Sequence, residues 1–171
     1  DVCIRIRSFV KSDGIVIADC MTATMDEHCK RLPTGRLDDL FNIKRESTGW
    51  SANPVGGKYI SKAGPVDVYE DGIKSVSDKT SFISDKGSSC IIQSKTGKGS
   101  SIYLNINLRS YLKERYSAKG DTIRKIISAQ IINIILNSSV RIVDDKGNNP
   151  IGVELILFDK KGSIVAAVIN N

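Results

Sequence analysis

Cys90-Ile-Ile-Gln93, Lys95-Thr-Gly-Lys-Gly99 and Ile102-Tyr-Leu-Asn-Ile-Asn-Leu108 follow one another as an apolar run, a turn cluster and a second apolar run. Short apolar runs broken by glycine-containing turns read as β-strands joined by hairpins. The same grammar extends upstream. Val66-Asp-Val-Tyr69 precedes Glu-Asp-Gly72, and Ser81-Phe-Ile-Ser84 precedes Asp-Lys-Gly87. Turn signals about every ten residues argue for an antiparallel barrel or sandwich.

The flanks extend this reading. Cys3-Ile-Arg-Ile-Arg-Ser-Phe-Val10 alternates apolar and polar residues and predicts a half-buried strand. Ser12-Asp-Gly14 supplies a turn into Ile15-Val-Ile-Ala-Asp-Cys20, so the sequence predicts an N-terminal hairpin. Leu37, Leu40, Phe41 and Ile43 recur at helical spacing within 36–46, with Asp38 and Asp39 near the start and Lys44 and Arg45 near the end. That charge order suits a helix dipole and predicts a short helix, led in by Pro33 and Gly35. Residues 47–64, rich in Gly, Ser, Asn and Pro and carrying Trp50, read as a long irregular connection.

Downstream, Asp121 or Thr122 can cap an apolar helix running to Leu136, with Ile123, Ile126, Ile127, Ile131, Ile134 and Ile135 on a wide face. A buried strand pair is the competing reading, since β-branched residues lose rotamer freedom in helices. A helical turn is also read over 108–116. Val140-Arg-Ile-Val143, Ile151 to Phe158 and Ser163 to Ile169 then predict a closing β-meander. The expected class is α+β, mostly β, as one domain over 1–171.

Composition narrows the function classes. Hydrophobic residues make up 40% and charged residues 26%, ordinary values for a folded protein. No apolar run approaches the ~20 residues that cross a bilayer, so no membrane span is expected. The formal charge of +6 is concentrated in residues 51–120, which hold eleven Lys/Arg against six Asp/Glu. That excess is mostly lysine in turn regions, without the interleaved aromatics of a nucleic-acid groove, so no nucleic acid is expected as a partner. Cys3, Cys20, Cys29 and Cys90 are an even set without the C-x-x-C spacing of a zinc or redox site. Together with the chain opening at Asp1 without a leader, they read as two disulfides of a processed bacterial secreted or periplasmic protein, of open connectivity; buried thiols are the alternative.

The search for chemistry is mostly negative. His28, the only histidine, stands beside Cys29, and a Cys–His nucleophile there is disfavoured because neighbours in a strand face opposite ways. Ser94 to Ser100 lacks the first glycine and the Ser/Thr of a phosphate loop and reads as a lysine-rich turn. Asp38/Asp39 suit a helix start and Asp144/Asp145 a turn, without the spacing of a calcium loop. Asn137-Ser-Ser139 fits a glycosylation acceptor. Trp50 and Tyr59 flank the glycine-rich loop and are the candidate ligand-binding aromatics. No catalytic residue, metal ligand or cofactor is assigned.

From Thr122 to Ile156 an apolar helix closes with Asn137-Ser-Ser139, Val140-Arg-Ile142 begins a strand, and Ile151-Gly-Val153 begins a return strand. This stretch resembles the later half of the OB-fold binding subunits of bacterial AB5-type toxins. The resemblance implies an OB-like barrel in a secreted, disulfide-bonded, glycan-binding protein that forms a ring; no sugar-binding residue of that family is carried over. The functional expectation is a binding module for a glycan or protein surface, with a homo-oligomer allowed. A toxin-neutralising immunity-type partner is the alternative, and a secreted hydrolase or nuclease comes third.

Overall fold

A computed structural model of the chain describes residues 1–47, 51–77, 82–114, 116–135, 144–147, 153–160 and 163–170. Trp50, residues 136–143 (with the acceptor motif and the strand expected at 140–143) and the start of the return strand lie outside them. The chain divides into two compact units, 1–113 and 114–171.

The first unit opens with a helix where a strand was expected. α1 spans Val2–Lys11, and the Asp1 carboxylate accepts from the Cys3 N–H at 2.8 Å, an N-cap bond that starts it. Cys3, Ile6 and Val10, at helical spacing, pack against the core, and Val10 is fully buried. Alternation and helical spacing are both satisfied by this short stretch, and the cap decides between them. Asp13, at φ 89°, and Gly14 then turn the chain into β1 (Ile15–Ala18). The helix carries the chain back, so β1 pairs in parallel with β7 (Gly99–Leu104) instead of forming an N-terminal hairpin. β6 (Ile91–Thr96) pairs antiparallel with β7 through the turn at Gly97, giving the sheet order β1-β7-β6. The hairpin read from 90–108 is present, with its second strand beginning earlier.

Between these strands lie two smaller sheets. The helix expected over 36–46 is a single turn, α2 (Asp38–Phe41). Asn42, in the left-handed region at φ 56°, ends it and redirects the chain into β2 (Ile43–Arg45). β2 pairs antiparallel with β5 (Ile73–Ser75), and β3 (Lys58–Ser61) with β4 (Gly64–Asp67). Of the strand expected at 81–84, the described residues 82–84 contribute an isolated bridge, Ile83 to Ser89. Val10, Ala18, Leu37, Leu40, Phe41, Ile43, Ile73, Ile92 and Tyr103 form the core of this unit. The fold is mixed α and β with small sheets, and the described residues form no closed barrel. The barrel or sandwich fails because β1 and β7 are parallel and the remaining strands pair off in twos.

α3 (Leu108–Glu114) belongs to the first unit but for its last residue, and in the second unit α4 spans Ala118–Ile135. α4 starts earlier than the Asp121 or Thr122 cap implies, because the Ser117 hydroxyl accepts from the Gly120 N–H at 3.2 Å. Asp121 instead pairs with Arg124 and, at 2.7 Å, with Lys125. β8 (Val153–Lys160) and β9 (Ser163–Asn170) form the expected hairpin, in register from Val153↔Asn170 to Lys160↔Ser163. Among the described residues no helix is long and apolar enough to cross a membrane.

Candidate functional site

Among the described residues of the first unit, a dense polar arrangement is centred on Arg45, whose side chain is only 3% exposed. The left-handed Asn42 makes the short helix and β2 double back, so Asp38 and Arg45 meet across the turn. Arg45 Nε lies 3.1 and 3.0 Å from the two Asp38 oxygens, and Nη1 donates to Glu70 Oε1. Nη2 reaches the Tyr103 hydroxyl at 3.3 Å, and that hydroxyl donates to Glu70 Oε2. The Met21 N–H adds a bond to Glu70 Oε2 at 2.7 Å. Asp38 also takes the Gly35 N–H at 2.7 Å.

Glu70 is set in place by its backbone. The buried Asn105 amide accepts from the Glu70 N–H and donates to the Glu70 carbonyl, both at 2.8 Å, and donates to Ser89 O at 3.1 Å. Burial, and next the Glu70 charge, push the Tyr103 hydroxyl well above its ordinary pKa, so it stays protonated and keeps donating. Two carboxylates, one guanidinium and one phenol thus bond one another inside the unit. Such an arrangement fixes the geometry of the residues it joins.

The residues singled out from sequence lie apart from this cluster. Tyr59 is half-buried on β3, its ring edge-on to Phe82 with centroids 5.7 Å apart. All four cysteines are free, which overturns the disulfide framework: Cys20 and Cys90 are buried, Cys3 is half-buried and Cys29 is exposed. Cys29 and His28 sit on an exposed turn whose His28 and Lys30 N–H groups donate to the Asp26 carboxylate at 2.9 and 2.8 Å. Asp39 pairs with Arg7 at 2.8 Å, and this hydrogen-bonded partner holds its carboxyl below the usual range. Asp144 caps a plain turn through the Lys146 N–H at 2.9 Å. Among the described residues no group of three or more His, Cys, Asp or Glu could hold a metal ion. Sequence reading missed Arg45, Glu70 and Tyr103, which share no motif spacing. The one local signal is a charged residue in an apolar strand context, as with Arg45 two residues after the buried Ile43.

No protein-family model and no curated protein sequence matches the chain. Solved structures do resemble it. A β-galactosidase from the Antarctic haloarchaeon Halorubrum lacusprofundi is 13% identical with a TM-score of 0.57, over 100% of this chain and 29% of its own. The β-galactosidase of Bacillus circulans sp. alkalophilus is 19% identical with a TM-score of 0.54, over 98% and 25%. An exo-β-1,4-mannosidase from Opitutaceae bacterium strain TAV5 is 13% identical with a TM-score of 0.50, over 80% and 23%. The chain spans about a quarter of the length of these proteins, and at such identities the likeness is one of fold. It corrects two expectations. The neighbours are glycoside hydrolases, so the resemblance to AB5-type toxin subunits does not hold. The reading as a disulfide-stapled binding module or immunity-type partner falls with it.

Proposed function

We propose that the chain is a segment of a glycoside hydrolase of the β-galactosidase or β-mannosidase kind, one that supports the enzyme structurally and does not supply its reacting carboxylates. The observation that carries this reading is the fold likeness, which runs over nearly all of this chain and about a quarter of each β-galactosidase. The ion-pair cluster favours the structural role. Glycoside hydrolysis uses two carboxyl groups on either side of the sugar, roughly 5–5.5 or 6.5–9.5 Å apart, one of them free to give and take a proton. Asp38 and Glu70 instead share Arg45, with side chains 13% and 8% exposed.

Hydrolysis of nitrophenyl β-D-galactoside and β-D-mannoside by the wild-type chain and by Glu70→Gln tests the proposal. The structural role predicts equal, background-level rates and a lower melting temperature for the variant. Turnover by the wild type that Glu70→Gln abolishes at an unchanged melting temperature would contradict it.

A further inference from the structure

Between β1 and α2, residues 19–32 form neither helix nor strand and are bonded largely to themselves. The Leu32 N–H donates to Thr24 O and the Asp26 N–H to Lys30 O, each at 2.9 Å, and the Asp26 carboxylate closes the turn between them. Met21, Ala23 and Cys29, all non-glycine, sit in the left-handed region at φ 61°, 57° and 61°. That conformation is sparsely populated for L-residues and persists only where surrounding bonds hold it. The segment is tied to its surroundings by the Cys20 N–H to Ile106 O at 3.4 Å and by the Arg36 N–H to Ala23 O at 2.9 Å. Glu70 holds it near both ends, through the Met21 N–H at 2.7 Å and through Arg31 Nη2 at 3.8 Å. The Arg31 contact is longer than a hydrogen bond, and Arg31 Nη1 is buried without a partner.

We propose that residues 19–32 are a strap latched by Glu70, which opens as a unit and uncovers the Cys20 thiol while the rest of the first unit stays closed. Cys20, 8% exposed, lies just past the carboxyl end of β1, beside the carboxyl end of its parallel neighbour β7. In open α/β sheets that end of the parallel strands is where a crevice forms and ligands enter. Opening relieves the three left-handed residues and releases the Met21 N–H and the Arg31 guanidinium from Glu70. It also parts the backbone bonds of Cys20 and Ala23 and the Glu27–Arg36 ion pair, a local opening that leaves the apolar core packed.

Native-state alkylation by iodoacetamide, read for each cysteine by mass spectrometry, tests the strap in the intact chain. Cys29, exposed, marks the free rate, and Cys90, 0% exposed, marks opening of the core. Arg31→Met, which removes only the strap's side of the ion pair, speeds Cys20 alkylation by about tenfold and leaves Cys90 unchanged. Glu70→Gln raises the Cys20 rate further; where it also raises Cys90, the core has opened and Arg31→Met alone decides. An unchanged Cys20 rate in Arg31→Met, or parallel rises at Cys20 and Cys90 in that variant, overturns the proposal.

Discussion

Cys20 and Cys90 show how burial sets the chemistry of a single residue. Burial raises both thiols from 9.0 to about 12, and for Cys20 the Asp19 and Glu70 charges add to the rise. Neither thiol is a nucleophile at neutral pH, since the thiolate is the reactive form. The consequence for stability has a definite sign. A thiol that ionises at 9.0 when unfolded and at about 12 when folded leaves stability intact below pH 9. The unfolded state gains increasingly as pH climbs from 9 toward 12. The urea midpoint of the wild type is therefore expected to fall over that window, and the Cys20→Ala/Cys90→Ala variant to show a flatter alkaline limb. Equal slopes in the two proteins would show that the thiols are not buried in this way.

At the scale of elements, the seam between α1 and β7 is closed by the absence of a side chain. A Cβ on Gly99 would stand 2.1 Å from Val10 O and 2.2 Å from Gly14 O, both backbone atoms that cannot swing aside. Gly99→Ala is expected to destabilise by about 3 kcal/mol, the upper range for forced backbone shifts. Gly87, at φ 82° with nothing within 4 Å of its Cβ position, faces only conformational strain. Its change to alanine should cost about 1 kcal/mol. Urea denaturation of the two variants checks the order, and a Gly99→Ala cost no larger than that of Gly87→Ala would break the close-approach explanation. Elements defined by local signals were legible in the sequence: the 90–108 hairpin, the long apolar helix and the β8–β9 hairpin each carry their own turn or period. α1 differs from the strand expected because the eight residues from Cys3 to Val10 satisfy helical spacing as well as alternation, and the deciding contact is the Asp1 cap. The parallel pairing of β1 with β7 was not legible, since neither strand carries a mark of a partner at the far end of the unit. The Arg45 cluster was hidden for the same reason, its members being brought together only by the turn at Asn42 and the Asn105 bridge.

Within the first unit, one guanidinium joins α2, β2, β7 and the connection between β4 and β5, so the β2–β5 pair and the β1-β7-β6 sheet share a polar junction as well as the apolar core. Burying ions is expensive, and a buried pair adds little against an apolar substitute; removing one partner, however, strands the other charge and costs about 3–5 kcal/mol. A double-mutant cycle at Arg45 and Glu70, followed by urea denaturation, tests this most directly. The junction predicts that Arg45→Met and Glu70→Gln each destabilise severely, and that the double variant is about 2–3 kcal/mol better than their sum. Costs that add to within about 0.5 kcal/mol would mean the two side chains act independently, and the junction would not exist.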